Sequence, residues 1–413
     1  MKRRVVITGM GMVSPVGNTV NDSFNAMLAG KNGIDYIKSV DTTNWKVQIA
    51  GEVRDIDFEK YLDKKEIKRN DRVALLALYA ASEAYEHAGL ANATGIDHNR
   101  FGTYIASGIG GLHTIFNETK VSLTRGPDRM SPFFVPNSII NLIGAAVGIR
   151  FGAKGPNIPV VTACSAGANA IGEAFRAIRD GYIDTAFAGG AESSINEIGV
   201  GGFASLRALS LTEDPKKACI PFDKNRNGFI IAEGAGVIIM ETYEQAVARG
   251  ANIIAEIVGY AATSDAFHMT APDEDADGIT RCINLAMEDA KAKPEDIGYI
   301  NAHGTSTQLN DRLETLGIKK ALGDYAYKIN ISSTKSMTGH ALGAAGGIES
   351  IVAIKALVTG EIPPTINITE FDEDCDLNYT PDVKVKREMT HSMNINIGFG
   401  GQNAAVIFKK VEV

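Results

Sequence analysis

The stretch VVTACSAGANAIGEA, residues 160–174, decides the architecture. A β-branched run leads into Cys164, and Ile171, Ala174, Phe175 and Ile178 then recur at helical spacing until Asp180-Gly181. The pattern predicts a strand, a sharp turn at the thiol and a helix whose N-terminus points at the sulfur. A free thiol is only a few per cent ionised at neutral pH, and lowering its pKa by one unit takes ~1.4 kcal/mol. A helix N-terminus supplies roughly 0.3–2 kcal/mol. The location is therefore expected to activate Cys164, while the flanking Ala and Gly leave room for a bulky substrate.

Outward from this stretch, short β-branched runs alternate with helical patterns. RVVITG (4–9), FGTYIASG (101–108), PVVTACS (159–165), TAFAGGAES (185–193) and GAGVIIMET (234–242) read as strands, and DRVALLALYAASEAYEHAGL reads as a helix. Such alternation signals a layered α/β fold with largely buried sheets. No Pro- or Ser-rich linker divides the 413 residues. An internal echo does: CSAGANAIGEAFRAIR laid on HALGAAGGIESIVAIK places Cys164 on His340, Gly167 on Gly343 and Glu173 on Glu349. GAGVIIME (234–241) and NAAVIFKK (403–410) close the two segments alike. Two duplicated α/β halves, 1–250 and 251–413, are expected to pack about a pseudo-twofold axis.

Bulk properties exclude several functions. A formal charge of −8 argues against nucleic-acid binding, which needs a dominant basic surface. Cys164, Cys219, Cys282 and Cys375 are scattered, without CxxC pairs or zinc-finger His spacing, so neither a disulfide framework nor a structural metal is suggested. A reducing cytoplasm fits, with Cys219, Cys282 and Cys375 as ordinary core residues. MKRRVVITGMGMVSP reads as a first strand rather than a signal peptide. MSPFFVPNSIINLIGAAVGI (130–149) is long enough to span a bilayer but carries Pro132, Pro136, Asn137 and Asn141, so a buried helix after a loop is expected, not a membrane segment.

Further constellations accompany Cys164. NAHGTSTQLND (301–311) puts His303 directly after a strand, STKSMTGHALGAAGGIE (333–349) puts Lys335 and His340 before a small-residue helix, and INIGFGGQNA (395–404) supplies a sharp GFGG turn. A thiol, a Lys and two His at the ends of strands favour one shared site.

With these motifs, and with VVITGMGMVSPVGN (5–18) and PFDKNRNGFIIAEGAG (221–236), the chain resembles the β-ketoacyl-acyl carrier protein synthases along its whole length. It is most similar to the type II elongating enzymes of dissociated bacterial fatty acid synthesis, which Gly346-Gly347 favours over type I. The resemblance implies the thiolase fold, five αβαβα layers built from two pseudo-symmetric halves. It implies a decarboxylative condensation of acyl- with malonyl-carrier protein, with Cys164 as nucleophile and with His303 and His340 serving the malonyl half-reaction. Two neutral imidazole N–H groups stabilise an enolate, and the backbone N–H groups of Cys164 and Phe399 form the oxyanion hole. Lys335 is expected to orient His303, with Asp311, Glu314 and Glu349 holding Lys335 and the imidazoles. Thr305 and Thr307 match pantetheine-binding positions. Phe399 matches a gate beside Gly400, and Ile109, Phe134 and Phe203 match the acyl-pocket wall. The carrier protein is acidic, so Lys64, Lys65, Lys68, Arg69, Arg125, Arg129 and Arg207 are expected to form its docking patch. A homodimer is implied, and no cofactor or metal.

Gln308, Ala341 and Gln402 depart from the usual family residues, which bears on pocket shape rather than on the reaction. A thiolase would carry a second catalytic Cys where this chain has GFGGQNA. A Cys/His thioester hydrolase would have little use for Lys335 and a second His, and a non-catalytic chain-length factor would lack Cys164. A ketosynthase of a type II polyketide synthase, running the same chemistry on the same fold, is the alternative reading.

Overall fold

A computed structural model describes residues 2–411. Its centre is a nine-stranded sheet of β1 (Val5–Val13), β2 (Phe101–Ala106), β3 (Thr185–Glu192), β4 (Gly234–Thr242), β5 (Ala255–Ser264), β6 (Ile297–Asn301), β7 (Asn330–Ser332), β8 (His391–Gly398) and β9 (Gln402–Lys409), ordered β2-β3-β4-β1-β5-β9-β8-β6-β7. The seam is narrow: β1 meets β5 only at Val5↔Ile257, Val6↔Glu256 and Ile7↔Ala255. Read outward from it, one half runs β1-β4-β3-β2 and the other β5-β9-β8-β6. Both show antiparallel, antiparallel and then parallel pairing, and β7 adds an edge to the second. This is the pseudo-symmetry of a thiolase fold.

Five main helices complete the layers. α1 (Arg72–His87) covers the outer face of the first half-sheet, and α3 (Asp277–Ala290) and α4 (Gln308–Leu322) cover the second. Between the half-sheets lie α2 (Ala166–Arg179) and α5 (Ala345–Thr359), which touch strands of both. Leu342–Thr359 is long and apolar enough to cross a bilayer, yet 83% of it is buried in this central layer.

The two central helices cross where neither has a side chain. A Cβ on Gly167 would sit 2.7 Å from the Gly347 nitrogen, and one on Gly346 would land on the Ala168 nitrogen. These contacts are reciprocal, with Gly167 equivalent to Gly346. The equivalence extends backward: each helix follows a 3₁₀ turn, Ala163–Ser165 or Leu342–Ala344, whose first residue has positive φ, +50° at Ala163 and +47° at Leu342. The structural partner of Cys164 is thus Gly343, not His340. The sequence echo is displaced by three residues, because Ala/Gly-rich helices match one another in several registers.

Two other expectations are corrected. Residues 159–162 form no strand, and the chain reaches Cys164 as irregular backbone after one bridge at Thr103↔Asn157. The apolar window ending at 149 forms helix Asn141–Phe151, which buries Ile143, Gly144, Val147 and Gly148 but leaves Ile149 84% exposed. Val135, Ile139, Ile158 and Val161 are also exposed.

Replacing Gly346 by Ala should lower stability by about 1–3 kcal/mol, because the methyl group must displace backbone. Gly201, with open space around it, is the control: Gly201→Ala should leave the urea midpoint unchanged or raised. Equal midpoints for the two variants would refute the crossing as a steric constraint.

Candidate active site

The 3₁₀ turn places Cys164 at the floor of a cavity of about 230 Å³, lined also by His303, His340, Thr305, Thr307, Phe203, Phe229 and Phe399. Ser165 Oγ donates to Gln402 O at 2.5 Å, fastening the start of α2 to the β8–β9 turn. That turn needs its glycines, since Gly400 and Gly401 have φ of +86° and +69°. It directs the Phe399 N–H at the Cys164 sulfur. Gly400 is exposed, and its N–H donates to Met269 O at 2.7 Å.

His303 follows β6 in a turn held from beneath by buried carboxylates. Glu314 accepts from His303 N at 2.6 Å and Gly304 N at 2.7 Å, and Asp311 accepts from Thr305 N at 3.0 Å and Phe222 N at 2.9 Å. Burial raises both carboxyl groups, Glu314 to about 8. These two carboxylates therefore brace the turn backbone rather than Lys335 or the imidazoles. Glu349 alone does what was expected of all three: it bonds Lys335 Nζ, which also donates to His303 O at 2.6 Å and lies 3.4 Å from His303 Nδ1. The three protons of the ammonium are thereby assigned.

The imidazoles meet edge to face, with centroids 5.1 Å apart at 85°. His340 Nδ1 accepts from Leu342 N at 3.3 Å, so its proton sits on Nε2, which is buried and has no hydrogen-bond partner among the described residues. His303 Nδ1 faces only donors, Lys335 Nζ and Asn396 Nδ2 at 3.5 Å, so its proton is likewise on Nε2. Burial first, and the positive charge of Lys335 second, push both imidazoles well below their ordinary pKa. Two neutral N–H donors thus face the cavity. Cys164 Sγ and one nitrogen of each ring lie within 4.8 Å of one another, as metal ligands do. A metal site needs the opposite tautomers, with lone pairs facing inward and ring N–H groups bonded outward. The arrangement suits an oxyanion rather than a cation.

The thiol departs from expectation. Burial raises it from 9.0 to about 12, outweighing Lys335 and the Phe399 N–H. A helix N-terminus offers ~0.3–2 kcal/mol, whereas a rise of that size represents about 4 kcal/mol. Desolvation wins, and burial keeps Cys164 in its thiol form.

Ile109 and Phe203 pack with Cys164, Leu342 and Phe229. Phe134 does not join them: it begins a short helix, Phe134–Ser138, on the face that exposes Val135 and Ile139. Thr305 Oγ1 and Thr307 Oγ1 lie 3.0 Å apart. Lys64, Lys65, Lys68, Arg69, Arg125, Arg129 and Arg207 are all exposed. Arg69 O accepts from Asn137 Nδ2 at 2.9 Å, and Arg207 lies between the cavity-lining Leu206 and Ala208.

Sequence reasoning missed Asn396, which donates to Glu349 at 2.6 Å, and the work of PFDKNRNGFII. Phe229 packs on the His340 ring, His340 N donates to Ile230 O at 2.7 Å, and buried Arg226 donates to Thr307 O at 3.1 Å and Gln308 O at 2.9 Å. The available signal was an Arg set between two Asn just before the apolar FII run at 229–231.

The fold and this site are those of a thiolase-fold condensing enzyme. Residues 2–246 match the family described as beta-ketoacyl synthase, N-terminal domain, and residues 254–369 match its C-terminal domain. The chain belongs to the β-ketoacyl synthase family. It is 45% identical over 412 residues to a 3-oxoacyl-[acyl-carrier-protein] synthase 2 of Synechocystis sp., covering 100% of this chain and 99% of that one. It is 46% identical over 413 residues to the protein of the same name in Staphylococcus aureus, covering 99% of each chain. Among solved structures, a beta-ketoacyl synthase from Burkholderia phymatum superposes with a TM-score of 0.92 at 33% identity. A type II polyketide ketosynthase in complex with its acyl-carrier protein, AntDE:AntF, gives 0.91 at 35%. Both alignments cover all of each chain.

Because burial holds the Cys164 thiol well above neutral pH, its alkylation by iodoacetamide should rise about tenfold per pH unit from pH 7 to 9. Peptide mapping reads the rate at Cys164 itself. A plateau near neutral pH would show an already ionised sulfur.

Proposed function

We propose that this protein catalyses the decarboxylative Claisen condensation of acyl-acyl carrier protein with malonyl-acyl carrier protein, the elongation step of type II fatty acid synthesis. The observation that carries the reading is the pair of Nε2–H groups converging beside the Cys164 sulfur. In the first half-reaction Cys164 Sγ attacks the acyl thioester carbonyl, and the thiol proton leaves with the released carrier thiol. The developing oxyanion takes the N–H groups of Cys164 and Phe399, each such donor being worth ~10²–10³ in rate. In the second, malonyl thioester loses CO2, and the enolate oxygen accepts from His303 and His340. The enolate carbon attacks acyl-Cys164. Sulfur departs as thiolate and recovers a proton from water, leaving 3-ketoacyl-carrier protein.

Neutral imidazoles suit this task, because imidazolium rings would have to be desolvated beside Lys335. Phe399 is proposed as the gate, Thr305 and Thr307 as hydrogen-bonding partners of the pantetheine arm, and the Lys64–Arg69 helix with Arg125, Arg129 and Arg207 as the carrier-protein surface. The division into units 1–250 and 251–413 belongs to the same proposal, supported by the narrow seam at β1–β5. So does a cytoplasmic location, in keeping with four free cysteines. A homodimer would cover Val135, Ile139, Ile149, Ile158 and Val161, an apolar face adjoining the Ile109 loop, where Gly111 N donates to Ser138 O at 3.3 Å. The polyketide reading is supported by the AntDE:AntF likeness, but the fatty-acid relatives are more similar in sequence, at 45–46% against 35%.

Mass spectrometry of the carrier protein after mixing with dodecanoyl- and malonyl-carrier protein should show a 3-ketoacyl product two carbons longer. Released dodecanoate would indicate a hydrolase. Unchanged substrates, or activity only with a second subunit, would favour the polyketide reading. Cys164→Ala should abolish condensation, and His303→Ala or His340→Ala should impair decarboxylation more than acyl transfer.

Both imidazole pKa values are lowered in the folded protein, so the neutral form persists below pH 6.5. Decarboxylation by the acyl-enzyme should therefore show no inflection at the ordinary imidazole pKa and should fall only at lower pH. A midpoint near 6.5 would contradict the buried neutral pair.

A further inference from the structure

Glu192 closes β3, is wholly buried, and has no Lys, Arg or His within ion-pairing distance among the described residues. Five donors surround its carboxylate instead. Oε1 accepts from Ser107 Oγ at 3.0 Å, Ile109 N at 3.3 Å and Ser194 Oγ at 3.4 Å. Oε2 accepts from Gly108 N at 2.6 Å and Gly343 N at 3.0 Å. Burial raises this carboxyl group while the amides and the Ser107 hydroxyl oppose the rise, and Gly108, Ile109 and Gly343 present backbone N–H groups, which can only donate.

The two sides of this shell belong to different parts of the chemistry. Residues 107–109 carry Ile109, which packs with Cys164 where an acyl chain would enter. Gly343 follows Leu342, whose N–H fixes the tautomer of His340 and whose φ of +47° is sustained only if the turn is fastened at both ends. One carboxylate therefore spans from the acyl pocket to the His340 turn.

We propose that Glu192 is a positioning residue that ties occupancy of the acyl pocket at Ile109 to the orientation and tautomer of His340. Residue and coupling together give the enzyme a means of favouring malonyl decarboxylation when Cys164 carries a chain. The coupling rests on the proposed function; the effect on the His340 tautomer does not.

Glu192→Gln keeps the shape but turns an NH2 group on at least one of the donors. Three measurements follow: acylation of Cys164 by mass spectrometry, CO2 release from malonyl-carrier protein with acetyl- or dodecanoyl-enzyme, and ¹⁵N spectra of labelled histidine. The native protein should show His340 as the Nε2–H tautomer, and faster decarboxylation with the dodecanoyl than with the acetyl enzyme. The variant should still acylate Cys164, lose about 10- to 100-fold in decarboxylation, as loss of an orienting partner typically does, lose the chain-length difference, and show mixed His340 tautomers. Formate should restore part of the activity of Glu192→Ala. Native chain-length dependence together with a native His340 spectrum in Glu192→Gln would overturn the proposal. So would uniform loss of acylation and decarboxylation without formate rescue, which marks a purely structural residue. Should the native protein not condense at all, the function fails, and the histidine spectra still decide whether Glu192 sets the tautomer.

Discussion

The contact of Gly167 with Gly346 and Gly347 is the constraint on which the rest depends. Each central helix starts from a turn bearing reactive groups, and the turns approach only because backbone meets backbone at the crossing. With side chains there, the helices would separate by the width of a methyl group or more. Cys164 and His340 would then no longer line one cavity. The narrow β1–β5 seam serves the same end, since a continuously paired sheet could not admit two helices between its halves.

Placing the site at the core sets its electrostatics. Burial pushes the thiol up and the imidazoles down, so the site holds an un-ionised thiol and two uncharged imidazoles. Lys335 would be costly in such a place alone. Glu349 partners it, and Asn396 in turn bonds Glu349, which keeps the ammonium pointed at His303. His340 Nε2 is left buried beside the cavity with no hydrogen-bond partner among the described residues.

Much of this was legible in the sequence, for identifiable reasons. Strands β1, β2, β3 and β4 announced themselves by β-branched runs, α1 by its apolar spacing, and His303 by its place just after a strand. Four features were not legible. The run before Cys164 has strand-like composition, but it meets the edge strand β2 only through the single bridge at Asn157 and then leaves it. The pKa of Cys164 depends on how much protein surrounds it, which local sequence does not report, so the helix end was overvalued. Asp311 and Glu314 could be named from spacing, but whether they face Lys335 or the turn amides depends on how α4 docks beneath residues 303–305. Asn396 and Arg226 were invisible as partners because each acts on residues far away in the chain, 47 and 93 positions for Asn396 and 81 for Arg226.

The corrected register gives the duplication a chemical meaning. Gly343 stands where Cys164 stands in the other half, and each backbone N–H follows a residue of positive φ at the start of a central helix. At Gly343 the N–H is permanently satisfied by the Glu192 carboxylate. At Cys164 the corresponding space, beside the Phe399 N–H, holds no side-chain anion and is open to the cavity. The same turn is thus used twice, once closed by an internal carboxylate as a brace and once left open to the cavity. That asymmetry explains why a pseudo-symmetric fold brings a thiol to the cavity from one half alone: the half that would duplicate the Cys164 turn carries glycine in place of the thiol and gives its amide to Glu192.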